Sequence, residues 1–299
     1  MQCLQSLARQ TAQPGEVCVV WQADDTATRD AAEQARATLP YPLRILHNPQ
    51  TGIVPSENLA LDAALGQIIL LIDDDAVAPP EWLARHLHHY TDETVGAVGG
   101  PADNHYLDGL PFPQRRAEPV GKLSWYGKAL GNMHDQDSSW RERQPRDVDH
   151  LVGYNLSLRR KAFQRFEDGL KPYWQMFEID ACLQVKARGF RVLFDFANVV
   201  AHYPTNTIYA DGREGDLSIK VYNAAYNHGF VLAKHSPWFL RPLRFLYLWG
   251  LGSISKPGLL AFPFAVKCYG SPLRELNILR QTWRSHLAGW KAGARARIK

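Results

Sequence analysis

Residues 67–75 read QIILLIDDD. The five apolar side chains Ile68, Ile69, Leu70, Leu71 and Ile72 form a run too short for a helix and rich in β-branching, which predicts a buried strand of the kind parallel sheets use. The run ends in three acids. Adjacent carboxylates repel, so the cluster costs stability unless a cation or hydrogen bonds compensate. In an extended strand alternate side chains share a face, so Asp73 and Asp75 are expected to point the same way. Hard oxygen ligands suit Mg²⁺ or Mn²⁺, and Mg²⁺ is typically held by one or two carboxylates together with phosphate oxygens. A D-x-D pair at the carboxyl edge of a strand therefore predicts a divalent-cation site facing a diphosphate. The plain alternative is a solvated acidic turn, favoured by Pro79-Pro80 just beyond.

Working outward, residues 2–12 place Leu4, Leu7 and Ala8 at helical spacing, and Pro14-Gly15 ends that helix. EVCVVW (16–21), LRILHN (43–48) and VGAVGG (95–100) predict short buried strands, with helices over 26–39 and 57–64. This alternation predicts an α/β fold, with a mixed, mainly parallel, Rossmann-like sheet carrying helices on both faces. Ligands in such sheets bind beyond the carboxyl ends of strands, which is where the three acids fall. Residues 101–150 are rich in Pro, Gly, Trp and His without clean periodicity, and predict a long functional loop region. Regular structure resumes with HLVGYNLSL (150–158), a helix over 178–188, RVLFDF (191–196) and ANVVAHY (197–203).

The chain has 299 residues, 45% of them hydrophobic and 11% aromatic, which excludes a disordered protein. Its cysteines (Cys3, Cys18, Cys182, Cys268) are scattered without CxxC spacing, which excludes a disulfide-stapled module and fits reduced thiols in the cytoplasm. From Lys267 onward there are eight basic residues and one acid, Glu275, so the positive charge belongs to the tail. With Trp283 and Trp290 interleaved, that tail suits an anionic membrane surface or nucleic acid; a solvated amphipathic helix is the simpler reading. No charged and then apolar leader is visible in residues 1–15. The most apolar stretch, 236–266, is broken by Arg241, Arg244, Lys256, Pro257 and Pro263, so its uncharged runs fall short of the roughly 20 residues that cross a bilayer. It is expected either to lie in the membrane interface, anchored by Trp238, Phe239, Phe245, Tyr247 and Trp249, or to pack as a helical pair on the main domain.

SLARQTAQPGEVCVVWQADD (6–25), HNPQTGIVPSENLALDAALGQIILLIDDDAVAPPEWL (47–83), VGYNLSLRRKAF (152–163) and FEIDACLQVKARGFRVLFDFANVVAHY (177–203), taken in order, resemble family 2 glycosyltransferases of GT-A fold over about residues 1–204. The resemblance implies that Asp73 and Asp75 are the D-x-D pair, with Asp75 the more direct ligand and His202 completing the metal shell. Gln22, Asp24, Asp25, Asn58, Asp73 and Asp74 would line the donor site, and Glu178, with Asp180 second, would be the catalytic base. Acids in the first turn of a helix are also favoured by capping and the helix dipole, which accounts for one of these two without any catalytic role. Aromatic Trp125, Tyr126 and Trp140 are expected to shape the acceptor site.

The implied activity is inverting, Mg²⁺- or Mn²⁺-dependent transfer of a sugar from a nucleoside-diphosphate sugar to a hydroxyl of a saccharide or lipid-linked acceptor, in polysaccharide or glycolipid synthesis. The implied location is cytoplasmic, peripheral at the inner face of the plasma membrane, with no nucleic-acid partner. Three regions are expected: a nucleotide-sugar-binding half (1–100), an acceptor and catalytic half (101–204), and a helical basic extension (205–299). Two departures stand out. The family's usual first strand is missing, which would remove ladder bonds and part of the nucleotide pocket, and Glu57 stands where an arginine is common. Either the true start lies upstream, which would restore that strand, or the fold is a damaged one; in the second case both departures favour the alternative of a decayed, donor-binding protein. DDDAV also fits a haloacid-dehalogenase-like phosphatase, but two βα units precede it and that fold's later motifs do not stand out.

Overall fold

The computed structural model describes residues 1–105, 119–131, 133, 138–172, 176–204, 217–252 and 258–297. Helix α1 (Gln2–Ala8) precedes strand β1 (Val17–Gln22), α2 (Thr26–Arg36), β2 (Leu43–Asn48), α3 (Ile53–Ala63) and β3 (Ile68–Leu71). Helix α2 starts where Asp25 caps it, accepting from the Thr28 N–H at 3.1 Å. Helix α3 begins four residues earlier than its periodicity predicts. Gly52, at φ 144°, makes the turn, and its N–H donates to Gln22 Oε1 at 2.7 Å. Next come β4 (Ala76–Val77), α4 (Trp82–His89), β5 (Val95–Gly99) and β6 (Ala102–Asn104). The expected long loop contains the hairpin β7 (Lys122–Leu123) and β8 (Ala129–Leu130), helix α5 (Ser138–Arg141) and β9 (Arg146–Asp147). Its residues 106–118, 132 and 134–137 lie outside the described residues.

Strand β10 (Leu156–Arg159), helix α6 (Phe177–Ala187), β11 (Arg191–Phe194) and β12 (Val200–His202) complete the α/β part. One sheet has the order β3-β10-β5-β11-β9, another β4-β12-β6. Strand β10 runs antiparallel between β3 and β5, with Leu156 opposite both Leu71 and Gly99. The ladders are mixed, as expected, but antiparallel pairings outnumber the parallel ones (β1/β2, β5/β11, β6/β12), because β10 returns between two strands that would otherwise be neighbours. Phe163, Phe166, Phe177, Phe194 and Phe196 fill the core beneath. Under the site, Asn155 is fully buried: its Oδ1 accepts from Trp82 Nε1 at 2.9 Å, and its Nδ2 donates to the Asn198 carbonyl at 2.7 Å.

Strands β1 and β2 form a ladder of their own. Among the described residues the free edge of β1 and the free edge of β3 have no strand partner, so the ladder is interrupted between them, and all six residues of β1 are only half-buried. This corrects the expectation of a fully buried strand at 16–21.

The C-terminal part is helical, as expected: α7 (Leu217–His235), α8 (Arg241–Leu246), a π-helical turn (Tyr247–Leu251), α9 (Phe262–Tyr269) and α10 (Pro272–Arg295). Helices α7 and α10 cross closely through glycine; a Cβ on Gly289 would lie 2.0 Å from the Tyr226 carbonyl oxygen. Among the described residues no helix is long and apolar enough to cross a membrane.

Candidate active site

Strand β3 ends at Leu71, and Asp73–Asp75 form the turn into β4, with the Ala76 N–H donating to the Asp73 carbonyl at 3.0 Å. Strand alternation is therefore not what brings the acids together. The antiparallel pairing of β4 with β12 sets His202 opposite Ala76, and the Tyr203 N–H donates to the Asp75 carbonyl at 2.9 Å. His202 Nε2 then lies 3.1 Å from Asp75 Oδ1 and 3.6 Å from Asp73 Oδ2. One ligand atom from each of Asp73, Asp75 and His202 falls within 4.8 Å of the others. Nδ1–H of His202 donates to Asn104 Oδ1 at 2.7 Å, which fixes the ring and leaves Nε2 facing the carboxylates. Burial alone would lower the His202 pKa, but Asp73 and Asp75 outweigh it and raise it to about 9.

These residues fit a divalent cation. Asp75 Oδ1 is buried and has no aligned hydrogen bond, despite its closeness to His202. The protonated His202 ring is the positive group beside it, and once that proton leaves, two carboxylates with an imidazole form a donor set Mn²⁺ and Mg²⁺ accept. Asp74 is exposed at the same turn; partial desolvation and its two acidic neighbours raise its pKa.

The acids border a cavity of about 2040 Å³ that Gln22, Asp24, Asp25, Glu57, Asp73 and Glu178 also line. Glu178 is buried in the first turn of α6, its Oε1 accepting from the Gly153 N–H at 3.3 Å. Burial pushes its pKa up to about 8, and the nearby charges of Asp73 and Glu57 add to the rise. Helix α6 starts from Met176, a non-glycine residue at φ 82°, another cavity-lining position. Asp180 faces away, fully buried against Lys234 Nζ at 2.9 Å and His235 Nε2 at 2.7 Å. Burial would raise its pKa, yet these two partners hold it below the ordinary carboxylate value. The two acids that the sequence left as alternatives are thus separated by what each one meets.

The donor-side residues divide similarly. Gln22 and Asp24 line the cavity, although Gln22 Oε1 is engaged by Gly52. Asp25 also lines it, with its carboxylate committed to capping α2. Asn58 is placed elsewhere: its Nδ2 donates to the Phe166 carbonyl at 3.0 Å and to Asp168 Oδ1 at 2.8 Å, and its Oδ1 accepts from the Phe166 N–H at 2.9 Å. Buried on the inner side of α3, it ties that helix to the following half and does not reach the cavity. Its neighbour Glu57 does, and burial, with Asp73 adding, pushes its pKa up to about 8. Trp125 is exposed, whereas Trp140 packs edge-on against Phe196 in the core, away from any acceptor. Tyr126 packs against Tyr247. Sequence reasoning passed over Tyr154, whose ring lies 5.2 Å from that of His202, and Asn104; both became legible only with the β6–β12 pairing.

The chain is 30% identical over 227 residues to EpsH of Bacillus subtilis (strain 168), which carries a provisional glycosyltransferase name; the match covers 75% of this chain and 64% of that protein. It is 30% identical over 104 residues to the succinoglycan biosynthesis protein ExoM of Rhizobium meliloti (strain 1021), covering 35% and 34%. The chain thus spans about a third of one relative and less than two thirds of the other. Among solved structures it resembles GalNAc-T7 with UDP, GalNAc and Mn²⁺ (TM-score 0.57, 13% identity, covering 98% of this chain and 52% of that one). It also resembles S. aureus TarS 1-349 with UDP (TM-score 0.55, 15% identity, 99% and 86%). At these identities the likeness establishes the fold, that of GT-A glycosyltransferases. Residues 1–166, more than half of the chain, match the sequence profile of glycosyl transferase family 2, and the chain belongs to that family.

Proposed function

We propose that this chain transfers a sugar, with inversion, from a nucleoside-diphosphate sugar to an acceptor hydroxyl, using a divalent cation. The observation that carries the reading is the convergence of Asp73, Asp75 and His202 with the buried carboxyl of Glu178 on one cavity. The UDP and Mn²⁺ bound by GalNAc-T7 in a like fold support the donor class and the cation. The name of ExoM supports polysaccharide synthesis as the setting.

Asp73, Asp75 and His202 would hold Mg²⁺ or Mn²⁺, with Asn104 keeping the imidazole oriented. When bound, the cation would neutralise the charge that grows on the departing diphosphate. Gln22 and Asp24 border the end of the cavity nearest β1 and suit the donor's base. Glu178, once ionised, takes the proton of the acceptor hydroxyl. The acceptor oxygen bonds to the anomeric carbon from the face opposite the leaving diphosphate as the carbon–diphosphate bond breaks, so the configuration inverts.

A saccharide or lipid-linked acceptor, reached at the inner face of the plasma membrane, belongs to the same reading. Trp238, Phe239, Leu246, Leu251, Leu260 and Phe264 are exposed on the C-terminal helices, and the Leu260 N–H donates to the Gly250 carbonyl at 2.7 Å, joining α9 to the π-helical turn. Apolar side chains flanked by Arg241, Lys267 and Arg274 suit an anionic interface. Sedimentation with anionic and neutral vesicles tests this, with loss of anionic-vesicle binding expected on combining Trp238→Ala with Phe239→Ala.

The transferase reading is tested by incubating the protein with a panel of nucleotide-sugars, with Mn²⁺ or with chelator. Release of nucleoside diphosphate that needs the metal is expected, lost in Asp75→Ala; release undiminished in that variant or by chelator would refute the metal role. Donor uptake without release in every condition would instead favour a binding protein.

A further inference from the structure

Two acids two residues apart on α6 have opposite surroundings. Asp180 is fully buried and fully partnered: Lys234 Nζ lies 2.9 Å from its Oδ1, His235 Nε2 lies 2.7 Å from the same oxygen, and Gln184 Nε2 donates to Oδ2 at 2.7 Å. Lys234 Nζ also meets Glu167 Oε2 at 2.8 Å, so one buried ammonium joins two carboxylates. Lys234 and His235 are the last two residues of α7. The chain then turns at Ser236 and Pro237 into the exposed Trp238 and Phe239.

Helix α6 needs such an anchor. Its first turn departs from Met176 at φ 82° and ψ −20°, a left-handed conformation that a side chain with a Cβ seldom adopts. The Asp180 N–H donates to the Met176 carbonyl at 2.9 Å, so backbone and side chain of Asp180 grip the same turn from two sides, with Glu178 between them. A buried ion pair adds little stability that apolar packing would not supply, since both charges lose water. Its use here is direction: it admits one orientation of the turn.

We propose that Asp180 is a positioning residue, held by Lys234 and His235 so that the start of α6 aims Glu178 into the cavity, and that the end of α7 is thereby part of the catalytic unit. This rests on Glu178 being the base. Loosening the anchor leaves the donor's metal and base contacts in place and displaces only the proton acceptor. Misplacing a reacting group by about 1 Å costs turnover on the order of 100-fold.

The test compares Asp180→Asn, Lys234→Met, Lys234→Arg and the double variant Asp180→Asn/Lys234→Met. Turnover is expressed per donor-binding site, with sites counted and donor affinity measured by calorimetry with UDP-sugars and Mn²⁺. In both single-charge deletions kcat per site should fall about 100-fold while donor affinity stays within about twofold. Lys234→Arg should restore most of the turnover, and the double variant should be no worse than the poorer single one, because it removes both fully buried charges together and leaves only the partly exposed Glu167 without its partner. Unchanged kcat per site, a parallel loss of donor affinity, or additive losses in the double variant would each overturn the proposal. If Lys234→Met does not fold, His235→Gln, which keeps an N–H donor and removes only one partner, is read by the same criteria. The base assignment is tested apart from this one: full turnover in Glu178→Gln with the anchor intact refutes the base and not the tie between α6 and α7.

Discussion

Loading the apo protein with Mn²⁺ at pH 7 should expel close to one proton from His202 for each ion bound. Its Nε2 is the nitrogen aimed at the carboxylates, 3.1 Å from Asp75 and 3.6 Å from Asp73, and these acids raise its pKa to about 9. Two pH units below that value the ring is about 99% protonated. A metal ligand must be the neutral imidazole, so three-residue coordination requires that proton to leave. At pH 7 the requirement weakens the apparent affinity by about two powers of ten, or about 2.7 kcal/mol, relative to pH above 9. Between pH 7 and 9 the affinity should therefore tighten by close to tenfold per unit. Calorimetric titrations in two buffers of different ionisation enthalpy give the proton count directly. Glu57 and Glu178, both raised to about 8, line the same cavity and can add to that count. The difference between the native chain and His202→Ala isolates the histidine's share. A proton count that His202→Ala leaves unchanged, or an affinity flat from pH 7 to 9, would show that this ring is not a ligand and sink the three-residue site.

Donor-saturated turnover should climb with pH, reach half its maximum near 8 and level off above about 9, because Glu178 accepts a proton only when ionised; a steady-state profile that is flat from pH 6 to 8 would count against it as the base. Thermal unfolding of the apo protein should show a melting point that falls from about pH 7 to 9, above the range in which the buried His86 and His150, whose pKa values burial lowers, act in the opposite direction. Glu57 and Glu178 keep protons in the fold up to about 8 that an unfolded chain releases near the ordinary glutamate value of about 4.5. The His202 contribution is present below 6.5 and lost as pH rises through about 9, so all three act in the same direction. Gly289→Ala should destabilise by about 1–3 kcal/mol in denaturant titrations, since its Cβ would meet the Tyr226 carbonyl at 2.0 Å and force α7 and α10 apart. A neutral result would mean that this helix crossing can yield.

What could be read from the sequence was what local pattern decides. The strand at Ile68–Leu71 follows from five apolar neighbours, and the acids fall at its carboxyl end because the run stops there. That Asp73 and Asp75 lie together was anticipated for a different reason from the real one: they share a turn, to which the β4–β12 pairing brings His202. Glu178 was preferred to Asp180 on the resemblance alone, and the difference in their surroundings was not legible. Both suit a helix start, and what distinguishes them is a lysine and a histidine more than fifty residues away. Asn58 was misplaced for a similar reason, since its partners at Phe166 and Asp168 lie in the other half of the chain. Trp140 looked like a sugar-stacking ring because composition cannot tell a core aromatic from an exposed one.

The same distinction between local pattern and long-range placement bears on how the cavity should be read. At about 2040 Å³ it is larger than the roughly 300–1,000 Å³ that a small-molecule site usually needs. Val17 and Val19 of β1 and Ile69 and Leu71 of β3, strands of two separate sheets, are among the residues that line it. Parallel strands are ordinarily covered on both faces and paired on both edges, and β1, half-buried along its whole length, has neither condition met in full. Gln22 and Asp24, assigned above to the donor's base, flank this wall at the end of β1, whereas Asp73, Asp75, His202 and Glu178 cluster at the acidic end. Substitutions along Val17, Val19, Ile69 or Leu71 should therefore act on stability, and those at the acidic end on donor uptake and turnover.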